Sequence, residues 1–137
     1  MEQYNKTIIL PTSGQKLYEI TSEVSSWVNK QNIKKGLVTI FIQHTSCSLI
    51  IQENADKDVQ KDLINFFSRI VPEKDNYIHN SEGSDDMPAH IKSAITQTNL
   101  SIPIENYQMV LGTWQGIYIF EHRKSSKKRT IKLHLIG

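Results

Sequence analysis

Cysteine occurs once in the 137 residues, at Cys47. That single thiol excludes a disulfide framework and any zinc site built from cysteines. It suits a reducing compartment, so a cytoplasmic location is expected. Long apolar runs are missing. No segment approaches the roughly 20 residues of a membrane helix, and the opening MEQYNKTIIL lacks the charged-then-apolar order of a signal peptide. No membrane partner is therefore expected. Excess charge of one sign is missing too: 16 basic against 14 acidic residues leave a net +2, too little to mark a nucleic-acid binder. What remains, 38% hydrophobic and 22% charged, is the composition of a globular domain. The length suits one domain spanning 1–137, able to bury about two thirds of its surface without a staple.

Along the chain, YNKTIIL (4–10) reads as a strand closed by a turn at PTSGQ. In ITSEVSSWVNKQ, Val24, Trp27 and Val28 fall at helical spacing, with Thr21 or Ser22 as cap. GLVTIFIQHT is β-branched and apolar on both faces, which predicts a strand buried on both sides, and SLIIQE predicts another. The clearest helix has Asp56 as cap, one stripe of Val59, Leu63, Phe66, Phe67 and Ile70, and Pro72 as its stop. After a polar segment, PAHIKSAIT predicts a short helix with Pro88 in its first turn. From Leu100 onward the pattern is a β meander: LSIPI, QMVLGTW, GIYIFEHR and RTIKLHLI. The expected fold is α+β, a mostly antiparallel sheet system carrying two or three helices.

The polar segment HNSEGSDDMPAH (79–90) buries little and holds two histidines and three acids. Long polar loops of this kind are either disordered or functional. His44, at the end of a predicted strand and followed by Thr45 and Ser46, adds a third imidazole. Three neutral imidazoles can hold zinc and leave a fourth position open, with Glu82 or Asp86 replacing or orienting one. The competing reading makes His44 a hydrogen-bonded strand-end residue and His79 and His90 surface groups. Asp85, Asp86 and Glu82 could instead bind magnesium, or help cap the following helix. Cys47 reads as packed and inert. Glu121 and Arg123 share a strand face. Arg123 could bind a phosphate through its planar fork, or simply pair with Glu121. The basic run Arg123, Lys124, Lys127, Lys128 and Arg129 reads as a solvated hairpin tip.

Three motifs, HTSCSLIIQEN (44–54), YIHNSEGSDDMPAHIKSAI (77–95) and LGTWQGIYIFEHR (111–123), together resemble the YjbQ-type family, also called the secondary thiamine-phosphate synthase family. The resemblance runs over nearly the whole chain. It implies an α+β homotrimer and makes His44, Thr45, Ser46, Asn54, His79, Glu82, His90, Thr113, Gln115 and Glu121 family-motif positions. It also implies an enzyme acting on phosphorylated small molecules, joining a pyrimidine diphosphate to a thiazole phosphate to give thiamine phosphate. In that expectation His44, Glu82 and Glu121 are catalytic, and Thr45, Ser46, Asn54, Thr113, Gln115 and Arg123 hold the substrate. His44, His79 and His90 converge on one divalent metal, zinc before magnesium. The rival readings are a zinc-dependent hydrolase and a non-enzymatic binder of a phosphorylated metabolite.

Overall fold

The computed structural model describes Met1–Gly137. Its elements run β1 (Gln3–Thr12), β2 (Leu17–Glu19), α1 (Thr21–Lys30), β3 (Lys35–Ile42), β4 (Cys47–Glu53), α2 (Lys57–Ile70), α3 (Asp86–Ala94), β5 (Asn99–Glu105), β6 (Gln108–Met109), β7 (Gln115–Glu121) and β8 (Lys127–Ile136). Two antiparallel sheets form. The larger has the order β1-β8-β3-β5-β6 and the smaller β2-β7-β4. The expected α+β architecture, three helices on antiparallel sheets, is what the chain adopts.

The inner faces of the two sheets make the core. Val38, Ile40 and Ile42 of β3 and Ile131, Leu133 and Leu135 of β8 meet Leu49 of β4 and Ile117 and Ile119 of β7. The period-two alternation of strands puts these residues on one side of each. The outer face of β3 is not covered: Leu37 and Phe41 are 38% and 44% exposed. A strand buried on both faces is therefore not what a single chain contains.

Two local expectations shift for identifiable reasons. The turn at Pro11 does not occur, because β1 continues through Pro11 to Thr12, paired with β8 as far as Thr12↔Lys127. An edge strand tolerates proline, since its outer amides bond to nothing in the sheet. Thr21 does not cap α1; its hydroxyl accepts from the Ile117 amide at 2.8 Å and tethers the helix to β7. Asp56 does cap α2, accepting from the Asp58 amide at 2.9 Å. That helix lies on the outer face of the small sheet, with Leu63, Ile64 and Phe67 against Tyr118 and Phe120. Only Gln108–Met109 of QMVLGTW is strand, and Trp114 stands 62% exposed.

Candidate metal centre

Between α2 and α3 the chain crosses Val71–Asp85 without helix or strand. Gly83, at φ 105°, reverses it just before α3, a conformation that costs glycine little and other residues much. Asp86 and His90 lie at i and i+4 on α3 and so share a helix face. His90 Nδ1 lies 3.0 Å from the Thr45 carbonyl. A carbonyl only accepts, so Nδ1 carries the hydrogen and Nε2 keeps its lone pair. That Nε2 is 3.4 Å from Asp86 Oδ2, and His79 Nε2 is 2.6 Å from the same oxygen. One ligand atom from each of His79, Asp86 and His90 falls within 4.8 Å of the others. Donors around a tetrahedral zinc, bonded at about 2.0–2.1 Å, stand about 3.4 Å apart. The His90–Asp86 separation already matches that, and the His79–Asp86 pair would have to widen. Glu82 Oε2, 3.3 Å from His79 Nε2, is within reach of the same point. Two nitrogens and one oxygen fit zinc; magnesium prefers oxygen ligands throughout, so the set does not fit it.

Asp86 is 3% exposed, and Arg123 makes that burial tolerable. Arg123 Nη1 donates to Asp86 Oδ1 at 2.6 Å, Nε to Asp85 Oδ2 at 3.1 Å, and Nη2 to the Glu82 carbonyl at 2.9 Å. Burial pushes the Asp86 carboxyl upward, but the His79 hydrogen bond and the Arg123 charge outweigh it and hold it below the usual carboxylate range. Oδ1 is thus fixed by the arginine while Oδ2 faces the imidazoles. Three of its five N–H groups are thus committed to the protein, and it pairs with Asp85 and Asp86 rather than with the Glu121 side chain. Arg123 is a positioning residue here.

His44 does not join the cluster. Its Nε2 accepts from the Thr130 amide at 2.8 Å, so in the neutral ring Nδ1 carries the hydrogen and, facing Arg129 Nη1 at 3.4 Å, has no lone pair for a metal. Burial, with the Arg129 charge beside it, lowers its pKa and keeps it neutral. Asp86 stands where His44 was expected. Glu121 is also corrected as a catalytic base. It is fully buried, and its Oε1 accepts from Arg129 Nε at 2.7 Å and from Thr12 at 2.5 Å. Its Oε2 accepts from Arg129 Nη2 at 2.5 Å and from the Arg123 amide at 3.1 Å. Every lone pair is engaged. Arg129, read from sequence as part of a solvated tip, is 3% exposed and belongs to this buried pair.

Thr45 and Ser46 contribute their carbonyls, to His90 and to Arg129 Nη2 respectively. Thr45, His44, His90 and Ser93 line a cleft of about 200 Å³ beside the cluster. Asn54, Thr113 and Gln115 lie elsewhere. The β4–β7 register runs from Cys47↔Glu121 at the cluster's end to Glu53↔Gln115 at the other, so within one chain these three form a separate, exposed patch. His122, left out of every sequence expectation, is buried with Nε2 2.9 Å from the Ser48 hydroxyl.

The family model described as UPF0047 protein YjbQ-like matches residues 6–137. The chain belongs to this family. The UPF0047 protein sll1880 of Synechocystis is 46% identical over 98% of this chain and 92% of its own. The UPF0047 protein YjbQ of Escherichia coli O157:H7 is 39% identical over 98% of each. Among solved structures, a YjbQ/UPF0047 family protein from Clostridium acetobutylicum superposes with a TM-score of 0.89 at 31% identity, covering 96% of this chain and 99% of that one. A YbjQ-like protein of unknown function from Sulfolobus solfataricus P2 shares the fold, with a TM-score of 0.87 at 22% identity and 99% coverage of both.

These relatives overturn the expected activity. They are described by family only or as of unknown function, and none carries a synthase description. The thiamine-phosphate reading, with its hydrolase and phosphometabolite-binding rivals, is withdrawn. The buried, fully engaged carboxylate of Glu121 agrees, since it cannot act as the base it was expected to be. No helix is long and apolar enough to cross a membrane.

Proposed function

We propose that the chain holds one divalent cation, zinc first, at His79, Asp86 and His90, and presents it to the cleft with a position open to water or a small oxygen ligand. One observation carries the reading. The Thr45 carbonyl fixes the His90 tautomer, so that a bare Nε2 turns toward the same carboxylate oxygen that His79 reaches. An imidazole whose other nitrogen is bonded to a carbonyl is the common orienting arrangement of metal-ligating histidine. Asp86, anchored through Oδ1 by Arg123, supplies the negative charge that two imidazoles lack. Glu82, with Oε2 3.3 Å from His79 Nε2, is near enough to add a further oxygen to the cation. We further propose that the protein is a homotrimer in a reducing compartment, the exposed Leu37 and Phe41 face being the surface to cover.

Elemental analysis after loading with zinc and desalting tests the site. Near one equivalent in the wild type, and near zero in His90→Ala and Asp86→Asn, is expected. Wild-type protein that retains no zinc, or a variant that retains as much as wild type, overturns the reading. The cluster is then a charge network in which His79 donates to Asp86.

A further inference from the structure

On the far side of Arg123 and Lys124 from the histidines lies a second cavity, of about 400 Å³. Its walls carry Gln15, Ser68, Glu73, Lys74, Lys92 and Lys124. Lys92 decides its character. Although it sits in α3, it is only 6% exposed; its ammonium makes no hydrogen bond or ion pair with the protein and is not sealed from solvent, so what it meets is the cavity. The one acid on the wall, Glu73, is taken by Lys124, whose Nζ lies 2.6 Å from Oε1. Three ammonium groups thus face one carboxylate, and the buried one has no partner.

A cation largely withdrawn from water and left without a protein partner is unfavourable, and native proteins pair such groups or neutralise them. We infer that the cavity binds a small dianionic oxyanion, with Lys92 as its buried anchor and Lys124 and Lys74 at its mouth. The amide of Gln15 and the hydroxyl of Ser68 supply neutral polar groups on the wall. Gln15 Nε2 is already donating to the His122 carbonyl at 2.8 Å, so its amide is held in place. The site is independent of the metal, since no residue on its wall is a ligand in the histidine cluster.

Isothermal titration with sulfate and, separately, malonate tests this on the whole protein freed of metal by a chelator. Sulfate probes the tetrahedral class and malonate the dicarboxylate class, with chloride as control. Saturable binding of at least one dianion is expected, weakened by about tenfold or more in Lys92→Met, the loss expected when a charge-assisted hydrogen bond is removed. Lys124→Met, an exposed change that spares the fold, should weaken it less. Thermal shift supplies the second readout: the dianion should raise the wild-type melting temperature but not that of Lys92→Met. No binding of either dianion at millimolar concentration overturns the inference, and so does Lys92→Met binding as tightly as wild type. Should Lys92→Met fail to fold, unchanged affinity in a Lys74→Met, Lys124→Met double variant overturns it as well.

Discussion

Arg123 and Asp86 sit 37 residues apart in sequence and meet at 2.6 Å, the arginine holding one carboxylate oxygen so that the other is left for His79 and His90. A helix, a loop and the end of β7 are joined at this contact. Arg123→Met should therefore lower zinc affinity by about 10–100-fold, the usual cost of removing a group that orients a metal ligand. Competition against a chromophoric zinc chelator measures this. Unchanged affinity would leave the arginine with a purely structural part.

The Glu121–Arg129 pair should behave as a unit. Removing one partner, as in Glu121→Gln, strands a buried charge and should cost about 3–5 kcal/mol of unfolding free energy in urea. Replacing both, Glu121→Leu with Arg129→Met, should cost clearly less than the sum of the single changes. Additive losses would show that the two side chains do not depend on one another.

Acid should weaken the fold through His122. Burial, with Lys92 and Arg129 adding to it, drives the imidazole pKa down to about 3. The unfolded chain, titrating near about 6.5, then binds the proton first. Stability from this group is full above the unfolded value and is lost as pH falls from there toward 3, by about 1.4 kcal/mol per pH unit. Asp85 and Asp86, both held low, keep their contribution until the medium passes below the ordinary carboxylate range. Urea midpoints between pH 7 and pH 4 should fall in wild type and fall less in His122→Phe.

Cys47 should be silent in the native protein. It is fully buried, and burial pushes its thiol up to about 12, so almost no thiolate exists at neutral pH. A disulfide exchange reagent at pH 8 should label it only as fast as the protein opens. Rapid stoichiometric labelling without denaturant would contradict the packing.

The open sheet face, with Leu37 and Phe41 exposed, should drive association. Sedimentation at micromolar concentration should give a trimer, and Phe41→Glu should shift it toward monomer, because a charge on that face opposes burial. A wild-type monomer would show that the face needs no cover.

Much of this was legible beforehand. The α2 stripe with its Asp56 cap, the inward alternation of β3 and β8, and the concentration of histidines and acids in residues 79–90 all follow from local pattern. Two readings failed for different reasons. His44 looked like a ligand because a strand end exposes it, and only the arrival of β8, whose Thr130 amide it accepts, shows it to be occupied. Arg129 could have been found. In RTIKLHLI it shares a face with Ile131, Leu133 and Leu135, so an inward arginine demanded an acid, and Glu121 was the one inward acid of β7. The i, i+4 spacing of Asp86 and His90 was likewise in plain view, but an aspartate at a helix start reads first as a cap.

Pairing of β1 with β8, from Gln3↔Ile136 to Thr12↔Lys127, has a bearing on how the protein is made. During synthesis β1 finds its neighbour only after β8 has emerged, more than a hundred residues later. Until then β1, with Ile8 meant for the core and Ile9 for the surface, has no ladder to join. Contacts of such long separation slow folding, and a free strand edge invites pairing with another chain. Synthesis, rather than the finished fold, is therefore the stage at which this molecule is most exposed to aggregation.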